Sequence, residues 1–527
     1  MSQPVHTPEL HPSQTGANAH VARSALLVAA LFGADKVLAL VRDAVIGQTF
    51  GASASLDAYY AAFELPDGLF TIIAGSAMAT TLIPILTGRI VRGERDEVWR
   101  LVSAVTNLAL LLVAGVGAVG AVFAPQVIQA VAPGFDAAQV ALAAQLMRLV
   151  LIQTLIFTAS GIAMGALRAY QHFLLPALAP LCYTASRILG TLLLAPRWGI
   201  FGLAWGGLAG AVIYFLVLVP GLIRYGARWR PTLRHSDLRA VLALMGPRVM
   251  GLGATYLTFV LPTFFGSRLA AGAISSYEYA WRLMQFPETI IGTALGITVF
   301  PTLAELASSG ERDGLRRTAS WALRLLLALA VPAGVVLVLL GQPLTSLFLE
   351  RGEFGADTTA RVVWALQFLA LGLVAHSALE VISRLFYAQR DMWTPFFAAV
   401  GGLIVNAGIG WLLLPSLTHG SMALANSLGA SFQVVALTAV AHHRLGGVDG
   451  HNLALSLVRT LVASAVMGAS VGGFLAAASE TSVLVRGLGG LLVGGGAYLV
   501  AALLLGSEEI REFPRLLRRE GVAAVVE

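Results

Sequence analysis

The sequence predicts an all-α integral membrane protein with fourteen transmembrane helices, arranged as two six-helix lobes related by a parallel repeat plus two C-terminal helices. Three observations predict this class: little charge, long apolar runs and an internal repeat. Of 527 residues, 57% are apolar and only 12% are charged, and the mean hydropathy is +0.79. Soluble proteins carry about 25% charged residues, so this composition cannot cover a water-facing surface of this size.

The apolar runs are long enough to cross a bilayer as helices. A spanning helix needs about 20 apolar residues, whereas barrel strands run about 10 residues and alternate. Lipid-facing backbone must satisfy its own hydrogen bonds, so the runs should be helical. The predicted helices are 22–49, 57–88, 98–123, 137–166, 172–195, 200–223, 239–266, 274–305, 318–340, 358–388, 394–414, 420–443, 454–477 and 484–506. Predicted breaks fall at Pro133-Gly134, Pro196, Pro231, Gly341 and Pro415.

Arginines concentrate in alternate loops between these helices. One set of loops, together with the C-terminal segment, holds most of the loop arginines. The alternate loops hold only Arg197, Arg268, Arg351 and Arg486, and three of them, near 50–56, 124–136 and 415–419, hold none. The positive-inside rule makes the arginine-rich loops cytoplasmic, which places both termini in the cytoplasm. Residues 1–20 lack the positive start of a signal peptide, so we expect an uncleaved tail over 1–21 and a second cytoplasmic tail over 507–527.

A charged phrase occurs twice. GERDEVWR (93–100) and GERDGLRR (310–317) share five of eight positions and lie 217 residues apart. Residues 176–211 match 395–430 at an offset of 219, and FELP (63–66) resembles MQFP (284–287) at an offset of 221. These offsets predict an N-lobe over 22–223 and a C-lobe over 239–443, followed by the helix pair in 454–506. The alternative is chance similarity between apolar helices.

Both predicted lobes have six helices, so both enter the membrane from the same side. Transporters with such repeats place the substrate between the halves near the middle of the membrane and rock one half against the other. The two GERD copies are then expected to be equivalent cytoplasmic loops on the hinge side of the two lobes.

Several predicted helices carry ionisable groups at membrane depth, where such groups are costly and usually face a cavity or a partner. They are Asp35, Lys36, Arg42 and Asp43 in the first helix, Asp57 and Glu64 in the second, Glu278 and Arg282 with Gln285 in the eighth, and His376, Glu380 and Arg384 in the tenth. The tenth-helix set has i, i+4, i+8 spacing and is also compatible with an internal salt bridge. Arginine recognises phosphate and carboxylate by charge-assisted hydrogen bonds, and Lys36 is the only lysine. A cationic cavity therefore favours an anionic substrate, such as a phosphate-bearing lipid.

Four segments carry a resemblance to a known family: KVLALVRDAVIGQTFGASASLDAYYAAFELP (36–66), YAWRLMQFP (279–287), GTALGITVFPTLAEL (292–306) and FYAQRDMWTP (386–395). In them the sequence resembles the MurJ/MviN family, flippases of the peptidoglycan precursor lipid II in the bacterial cytoplasmic membrane. The family lies within the multidrug/oligosaccharidyl-lipid/polysaccharide exporter superfamily. The resemblance implies two lobes around a cationic cavity, and a lateral groove for the polyprenyl tail formed by helices 454–477 and 484–506. It places the family's cavity arginines on Arg42 and Arg282, a basic position on Lys36 and an acidic position on Asp57.

The sequence departs from the family pattern after the second helix's Leu-Pro. An important family arginine there is replaced by Phe70 or Thr71, and Glu64 stands where a basic residue is common. Gln285 stands where an acidic residue is common. The resemblance therefore implies a divergent member with a rearranged cavity charge.

The sequence thus predicts a flippase that moves lipid II by alternating access. Lys36, Arg42, Asp57 and Arg282 are the expected substrate-binding residues. Asp35, Asp43, Glu64, Glu278, Gln285, His376, Glu380 and Arg384 are candidates for cavity lining or coupling. We expect no catalysis, no metal and no cofactor. Transport is expected to be coupled to the membrane potential or to a monovalent cation. The expected partners are membrane lipids and not nucleic acid, and the chain is expected to be a monomer.

Other functions stay open at this point. They are a flippase for another polyprenyl-diphosphate-linked oligosaccharide, a transporter of drug-type cations, a membrane glycosyltransferase and a scaffold that has lost its site. The net cationic first helix argues against cationic drugs. The absence of a nucleophile–base set and of a sizeable loop argues against the enzyme.

Overall fold

The computed structural model describes residues 12–75, 82–238, 252–253, 256–445 and 450–517, and the regular secondary structure of these residues is helical. The α-helices are α1 Pro12–Phe50, α2 Ala54–Leu69, α3 Ile83–Val91, α4 Arg95–Val122, α5 Ala124–Val131, α6 Ala137–Ala169, α7 Leu174–Leu189, α8 Ala195–Trp198, α9 Ile200–Arg224, α10 Tyr256–Gly266, α11 Ala273–Glu288, α12 Ala294–Ser309, α13 Arg312–Leu349, α14 Ala356–Ala388, α15 Trp393–Leu417, α16 His419–Leu445, α17 Gly450–Ala477, α18 Gly490–Leu504 and α19 Glu508–Leu517. Short π-helical segments occupy Phe70–Gly75, Gly190–Leu194, Thr289–Thr293 and Val485–Gly489.

Eleven helical stretches in the described part of the chain are long and apolar enough to cross a membrane. They coincide with eleven of the predicted helices and confirm an all-helical, multi-pass membrane protein. The other three predictions are 22–49, which falls on α1, 57–88, which falls on α2 and α3, and 239–266, of which α10 is the described part. Residues 76–81 and 239–251 lie outside the described residues, so the total of fourteen stays a prediction.

Several boundaries differ from the prediction. Helix α1 already begins at Pro12, inside the predicted tail 1–21. Helix α5 occupies most of the predicted loop 124–136, with Pro125 in its first turn, where the missing N–H has no intrahelical partner to lose. Helix α13 continues through the break predicted at Gly341 and ends at Leu349. Proline and glycine are tolerated inside membrane helices because neighbouring groups satisfy the backbone they disturb, so they are weaker stop signals here than in soluble proteins.

One structural unit comprises residues 1–45, 65–122 and 146–249. Its core includes a stack in which the Trp99 ring lies 5.9 Å from that of Tyr170, which in turn lies 4.6 Å from that of Tyr225. A Cβ added at Gly190 would lie 2.4 Å from the Cα of Gly206 in α9. Glycine is therefore needed at this helix crossing. After α9, residues 225–238 form an almost entirely non-helical segment that we name the connector.

The second unit comprises residues 46–64, 123–145 and 250–527. One of its apolar cores joins α12, α13, α14 and α16. A second core joins α13 to α17, α18 and α19, and the Tyr498 hydroxyl donates to the backbone oxygen of Ala328 there. The C-terminal helix pair is thus held against α13 by packing and by a hydrogen bond that crosses between helices.

Left-handed backbone positions recur at nearly the offset of the sequence repeat. The pairs are Gly51 and Gly272 (φ +57° and +89°), Gly93 and Gly310 (+75° and +76°), Gln171 and Arg390 (+57° and +60°), and Gly199 and Thr418 (+56° and +52°). Their separations are 221, 217, 219 and 219 residues. Helices α6 and α14 both have 33 residues and start 219 residues apart. Two pairs differ in residue type, so backbone shape recurs even where the side chains have diverged.

Candidate functional site

Asp57, a predicted substrate-binding residue, caps the helix that carries Arg282. Its Oδ2 accepts the backbone N–H of Gly272 at 2.7 Å, and its Oδ1 accepts the N–H and the hydroxyl of Ser275 at 2.8 and 2.7 Å. Asp57 is buried, with 2% of its surface exposed. The first N–H groups of a helix lack intrahelical partners and favour negative charge, so this carboxylate satisfies the N-terminus of α11.

Gly272 makes this cap possible. Its φ of +89° is strained for other residues, and an added Cβ would lie 2.4 Å from the backbone oxygen of Ala52. Arg361 of α14 donates to the backbone oxygens of Ala52 and Ala271, at 3.4 and 3.0 Å. The segments that precede α2 and α11 are therefore held together by Arg361, which bonds a backbone oxygen of each, as well as by Asp57.

Arg282 lies on α11 two turns after the cap. Its Nη2 lies 3.7 Å from Glu278 Oε2, one turn earlier, and its guanidinium lies 5.1 Å from the centre of the Tyr60 ring of α2. The Arg282 side chain is 23% exposed. It is therefore partly neutralised and oriented by its neighbours, while part of the side chain stays accessible. Gln285, one turn further on, is exposed.

Glu64 is held on α2 by two side chains of α10. The Thr263 hydroxyl donates to Glu64 Oε1, and the Tyr256 hydroxyl donates to the Glu64 backbone oxygen and lies 3.5 Å from Oε2. The acidic side chain that departs from the family pattern is thus accommodated by hydroxyl donors. Thr263 is buried and Tyr256 is partly buried.

The first-helix charges belong to the other unit. Arg42 pairs with its neighbour Asp43, with Nη2–Oδ1 and Nε–Oδ1 distances of 2.8 and 2.9 Å. Asp35 accepts a hydrogen bond from the Thr184 hydroxyl of α7 at 3.1 Å. Lys36 is exposed, and among the described residues it makes no hydrogen bond or ion pair. Arg42 is thus a charge-balanced residue and Lys36 an accessible one.

The predicted ladder on α14 is partly an internal pair. Arg384 Nη1 lies 2.9 Å from Glu380 Oε2 and packs over Gly296 of α12. His376, one turn before Glu380, packs edge-on against Trp281 of α11 with ring centres 5.3 Å apart. Its Nε2 is buried and has no hydrogen-bond partner in the described part of the chain. The ladder therefore combines a salt bridge with a histidine that packs against the Arg282-bearing helix.

An apolar groove lies between α17 and α18. Its volume is about 460 Å³, and its walls are Val462, Val466, Gly496, Ala497, Val500, Ala501, Leu504 and Leu505. Gly496 contributes only backbone, and nothing lies within 4 Å of a Cβ built there. The groove can accept an aliphatic chain, but it offers no side-chain polar group to bind a headgroup.

Comparison with known proteins decides the family. A family profile described as "Lipid II flippase MurJ" matches residues 46–486. The chain belongs to the MurJ lipid II flippase family. A lipid II flippase MurJ from Burkholderia cenocepacia is 31% identical over 418 residues, which cover 77% of this chain and 81% of that relative. Members of this family are transporters and not enzymes, so this family membership confirms the predicted absence of catalysis.

Solved structures agree on the fold. A lipid II flippase MurJ in an inward closed conformation aligns with a TM-score of 0.77 at 22% identity, covering 94% of this chain and all of that chain. An inward-facing multidrug resistance MATE transporter of the MOP superfamily aligns with a TM-score of 0.63 at 16% identity, covering 78% of this chain and 94% of that one. The MurJ-family chain therefore has the fold shared by MurJ and MATE transporters.

The departure at Phe70 has a structural counterpart. Phe70 starts the π-helical segment of this MurJ-family chain, with its ring 6.1 Å from Phe157, and it packs on the apolar core around Trp99. Of the two positions at which the resemblance leads us to expect the missing arginine, Phe70 and Thr71, the first is therefore a packing residue.

The family motif at 386–395 forms a helix cap. Asp391 Oδ1 accepts the N–H groups of Trp393 and Thr394 at 3.0 Å, and Oδ2 lies 2.6 Å from the Thr394 hydroxyl and 2.5 Å from Arg444 Nη1. Burial raises the pKa of Asp391, but these hydrogen bonds and the charge of Arg444 outweigh burial and hold the pKa at about 2. The motif thus fixes the start of α15 to the end of α16.

Several residues of these networks escaped the sequence prediction. Gly272, Ser275, Tyr256 and Thr263 hold Asp57 and Glu64, yet small and hydroxyl side chains are common in membrane helices. The available signal was local. Gly272 precedes Ala273-Ile274-Ser275, a glycine before a helix start that a buried carboxylate could cap.

Proposed function

We propose that this chain translocates lipid II from the inner to the outer leaflet of the bacterial cytoplasmic membrane by alternating access. The observation that carries the proposal is the family match over residues 46–486. The related Burkholderia cenocepacia protein bears the same flippase description, and nothing in the transport step requires covalent chemistry. The sugar and peptide would cross through a wet cavity while the polyprenyl tail stays in lipid.

Arg282, Arg42 and Lys36 are proposed to hold the diphosphate. Arg282 keeps part of its side chain accessible beside Glu278 and Tyr60, and Lys36 is exposed. Arginine binds phosphate oxygens by bidentate, charge-assisted hydrogen bonds. The ion pair of Arg42 with Asp43 orients its guanidinium and reduces the cost of a cation at membrane depth.

Asp57 is proposed to support the site by holding the start of α11, and not to contact the diphosphate. Its two carboxylate oxygens accept three hydrogen bonds from Gly272 and Ser275, so these donors already balance its negative charge. An anionic substrate would also be repelled by this carboxylate. The structure therefore supports a positioning role in place of the binding role expected from the sequence.

The groove between α17 and α18 is proposed to hold part of the polyprenyl tail. Its apolar walls and its volume of about 460 Å³ suit an aliphatic chain. The remaining features are part of the same proposal: fourteen spans in two parallel-repeat lobes, both termini in the cytoplasm, a monomer, and a cycle biased by the membrane potential or a monovalent cation. The recurring left-handed backbone positions support the repeat.

The test is complementation in bacteria depleted of their own lipid II flippase. The wild-type chain should restore growth and the appearance of lipid II in the outer leaflet. Arg282→Ala should fail at the membrane abundance of the wild type, and Arg42→Ala should fail when its expression is raised to reach that abundance. Arg351→Ala, an arginine in a predicted outer loop, should still complement. If both cavity variants translocate lipid II normally, the site assignment is wrong.

A second cargo has a specific observation in its favour. The family arginine expected at Phe70 or Thr71 is missing, Phe70 packs on an apolar core, and Glu64 adds negative charge on the preceding helix α2. These changes favour a related polyprenyl-diphosphate-linked oligosaccharide with a different headgroup. Native mass spectrometry of the purified chain would decide, because the co-purified lipid has a distinct mass for each cargo.

A further inference from the structure

The connector is held in a fixed path along α4. Asn107 Nδ2 donates to the backbone oxygens of Arg230 and Thr232 at 2.8 and 2.9 Å, and Ser103 Oγ donates to that of Arg228 at 3.3 Å. Arg89 Nη2 also pairs with Asp237 at 2.7 Å near the end of the connector. Side chains of the connector are therefore placed by the fold before any ligand arrives.

A cavity of about 670 Å³ opens between the connector and the first GERD copy. Glu97 and Arg100 line it from α4, and Arg234, His235 and Ser236 line it from the connector. All five residues belong to one structural unit. The charged phrase that revealed the repeat thus forms one wall of a cavity that the proposed transport cycle does not use.

His235 lines this cavity with a ring nitrogen that has no hydrogen-bond acceptor among the described residues. Its side chain is 3% exposed, and Nδ1 accepts the backbone N–H of Asp237 at 3.1 Å. The proton of the neutral ring is therefore assigned to Nε2. Nε2 has no hydrogen-bond partner in the described part of the chain, although Glu97 Oε2 lies 3.3 Å away outside hydrogen-bond geometry. A buried donor without an acceptor is unfavourable, so a ligand oxygen would satisfy it.

The charges of the lining suit a singly charged anion. Arg234 is exposed, and its guanidinium has no partner among the described residues. Arg100 is 51% exposed and pairs with Glu97 at 2.7 Å through one nitrogen. Two arginines and one glutamate leave a net charge of +1. This charge matches a phosphodiester better than a doubly charged free phosphate, and the arginine fork matches phosphate oxygens.

The connector also exposes two large apolar side chains, one of which lines the cavity. Trp229 is 69% exposed, with its Nε1 donating to Asn107 Oδ1 at 2.9 Å, and Leu233 is 47% exposed and lines the cavity. Tryptophan is enriched where protein meets the headgroup region of a bilayer. These side chains favour a ligand that has an apolar part next to its phosphate.

We propose that this cavity binds the phosphodiester headgroup of an anionic membrane phospholipid. Arg234 and Arg100 contact the phosphate oxygens, His235 Nε2 donates to one of them, and Trp229 and Leu233 contact the glycerol and acyl region. Basic pockets at the membrane surface bind such headgroups elsewhere. The site is independent of the cargo that the cavity of the flippase carries.

The test measures lipid binding to the full-length purified chain by native mass spectrometry. The probes are phosphatidylglycerol and phosphatidylcholine with identical acyl chains. Arg234→Gln should bind phosphatidylglycerol about tenfold more weakly, the effect of losing one charge-assisted hydrogen bond. Arg312→Gln removes the same charge from the second GERD copy, which does not contact this cavity, and should change binding less than about twofold.

Two further variants test the histidine. His235→Leu removes the donor and should weaken phosphatidylglycerol binding, while His235→Gln keeps a donor amide and should retain most of it. Size-exclusion chromatography and thermal unfolding check that each variant folds. Equal losses in Arg234→Gln and Arg312→Gln, or equal binding of the two lipids by the wild type, would refute the site. Displacement of the lipid by inorganic phosphate as readily as by soluble glycerophosphoglycerol would refute the lipid as its ligand.

Discussion

Asp57 Oδ1 accepts hydrogen bonds from both the backbone N–H and the hydroxyl of Ser275, at 2.8 and 2.7 Å. The two residues are 218 positions apart, and they join α2 to α11, the second and eighth helices of the predicted repeat. Both residues belong to the second structural unit, where this joint between α2 and α11 fixes the start of the helix that carries Arg282.

Neutralising this joint should weaken the folded state. Asp57→Asn keeps the shape but loses the negative charge at the α11 N-terminus, and we expect a loss of about 1–2 kcal/mol in unfolding free energy. Ser275→Ala removes only the hydroxyl donor and should cost about half as much. Thermal unfolding in detergent measures both. A melting temperature of Asp57→Asn at or above that of the wild type would contradict the cap.

Variants of the Arg42–Asp43 ion pair can distinguish a role in stability from a role in transport. Arg42→Ala removes the 2.8 Å partner of the buried Asp43 carboxylate, so we expect a loss of about 1–3 kcal/mol in unfolding free energy. Adding Asp43→Asn removes that charge and should restore membrane abundance. Transport should stay lost in the double variant, because the proposed phosphate-binding cation is still missing. If the double variant flips lipid II at the wild-type rate, Arg42 is only a structural residue.

The low pKa of the Asp391 carboxyl means that the protein should lose stability at acid pH. Its pKa in the folded chain is about 2, below the ordinary 3.8, so its stabilising contribution is complete above about pH 4 and is lost as the pH falls towards 2. Melting temperatures measured from pH 6 to pH 3 should fall less steeply in Asp391→Asn, which starts from a lower value. Arg444→Gln should show an intermediate effect, because the Thr394 hydrogen bonds remain.

Asp357→Asn provides the matched control for that experiment. This aspartate also lies in the first turn of a helix, α14, but it is exposed and accepts no hydrogen bond in the described part of the chain. Its replacement should leave the acid dependence unchanged. An equal flattening of the pH profile in this variant would mean that general charge, and not the Asp391 cap, sets the acid sensitivity.

Filling the groove between α17 and α18 should reduce transport of long-tailed substrates. Gly496→Leu adds a side chain into the apolar cavity, where nothing lies within 4 Å of the new Cβ, so the protein should fold normally. We expect a several-fold slower translocation of lipid II and a smaller effect on a short-tailed analogue. Gly495→Leu adds the same side chain at a neighbouring position that does not line the groove, and it should transport normally.

The sequence predicted the class and most of the helices because the signals are strong and local. Hydropathy marks each span, and the recurring GERD phrase gave the offset that the left-handed backbone positions also follow. The partners of the charged residues were not predictable in the same way. Asp57 binds backbone N–H groups at positions 272 and 275, and Ser103 and Asn107 bind backbone oxygens of the connector. Every residue type provides these backbone groups, so the pattern of side chains in the sequence cannot predict which of them will be bound.

Gly199 and Thr418 show how each half can serve as a design template for the other. Their backbones agree closely, with φ and ψ of 56° and −136° at Gly199 and of 52° and −130° at Thr418. This conformation is nearly exclusive to glycine, and a β-branched residue in it stores about 1–3 kcal/mol of strain. The first half holds a glycine that the second half has replaced. Placing glycine at the second position by Thr418→Gly should therefore raise the melting temperature of the protein. Comparison of the two halves thus identifies substitutions that could make the flippase more stable.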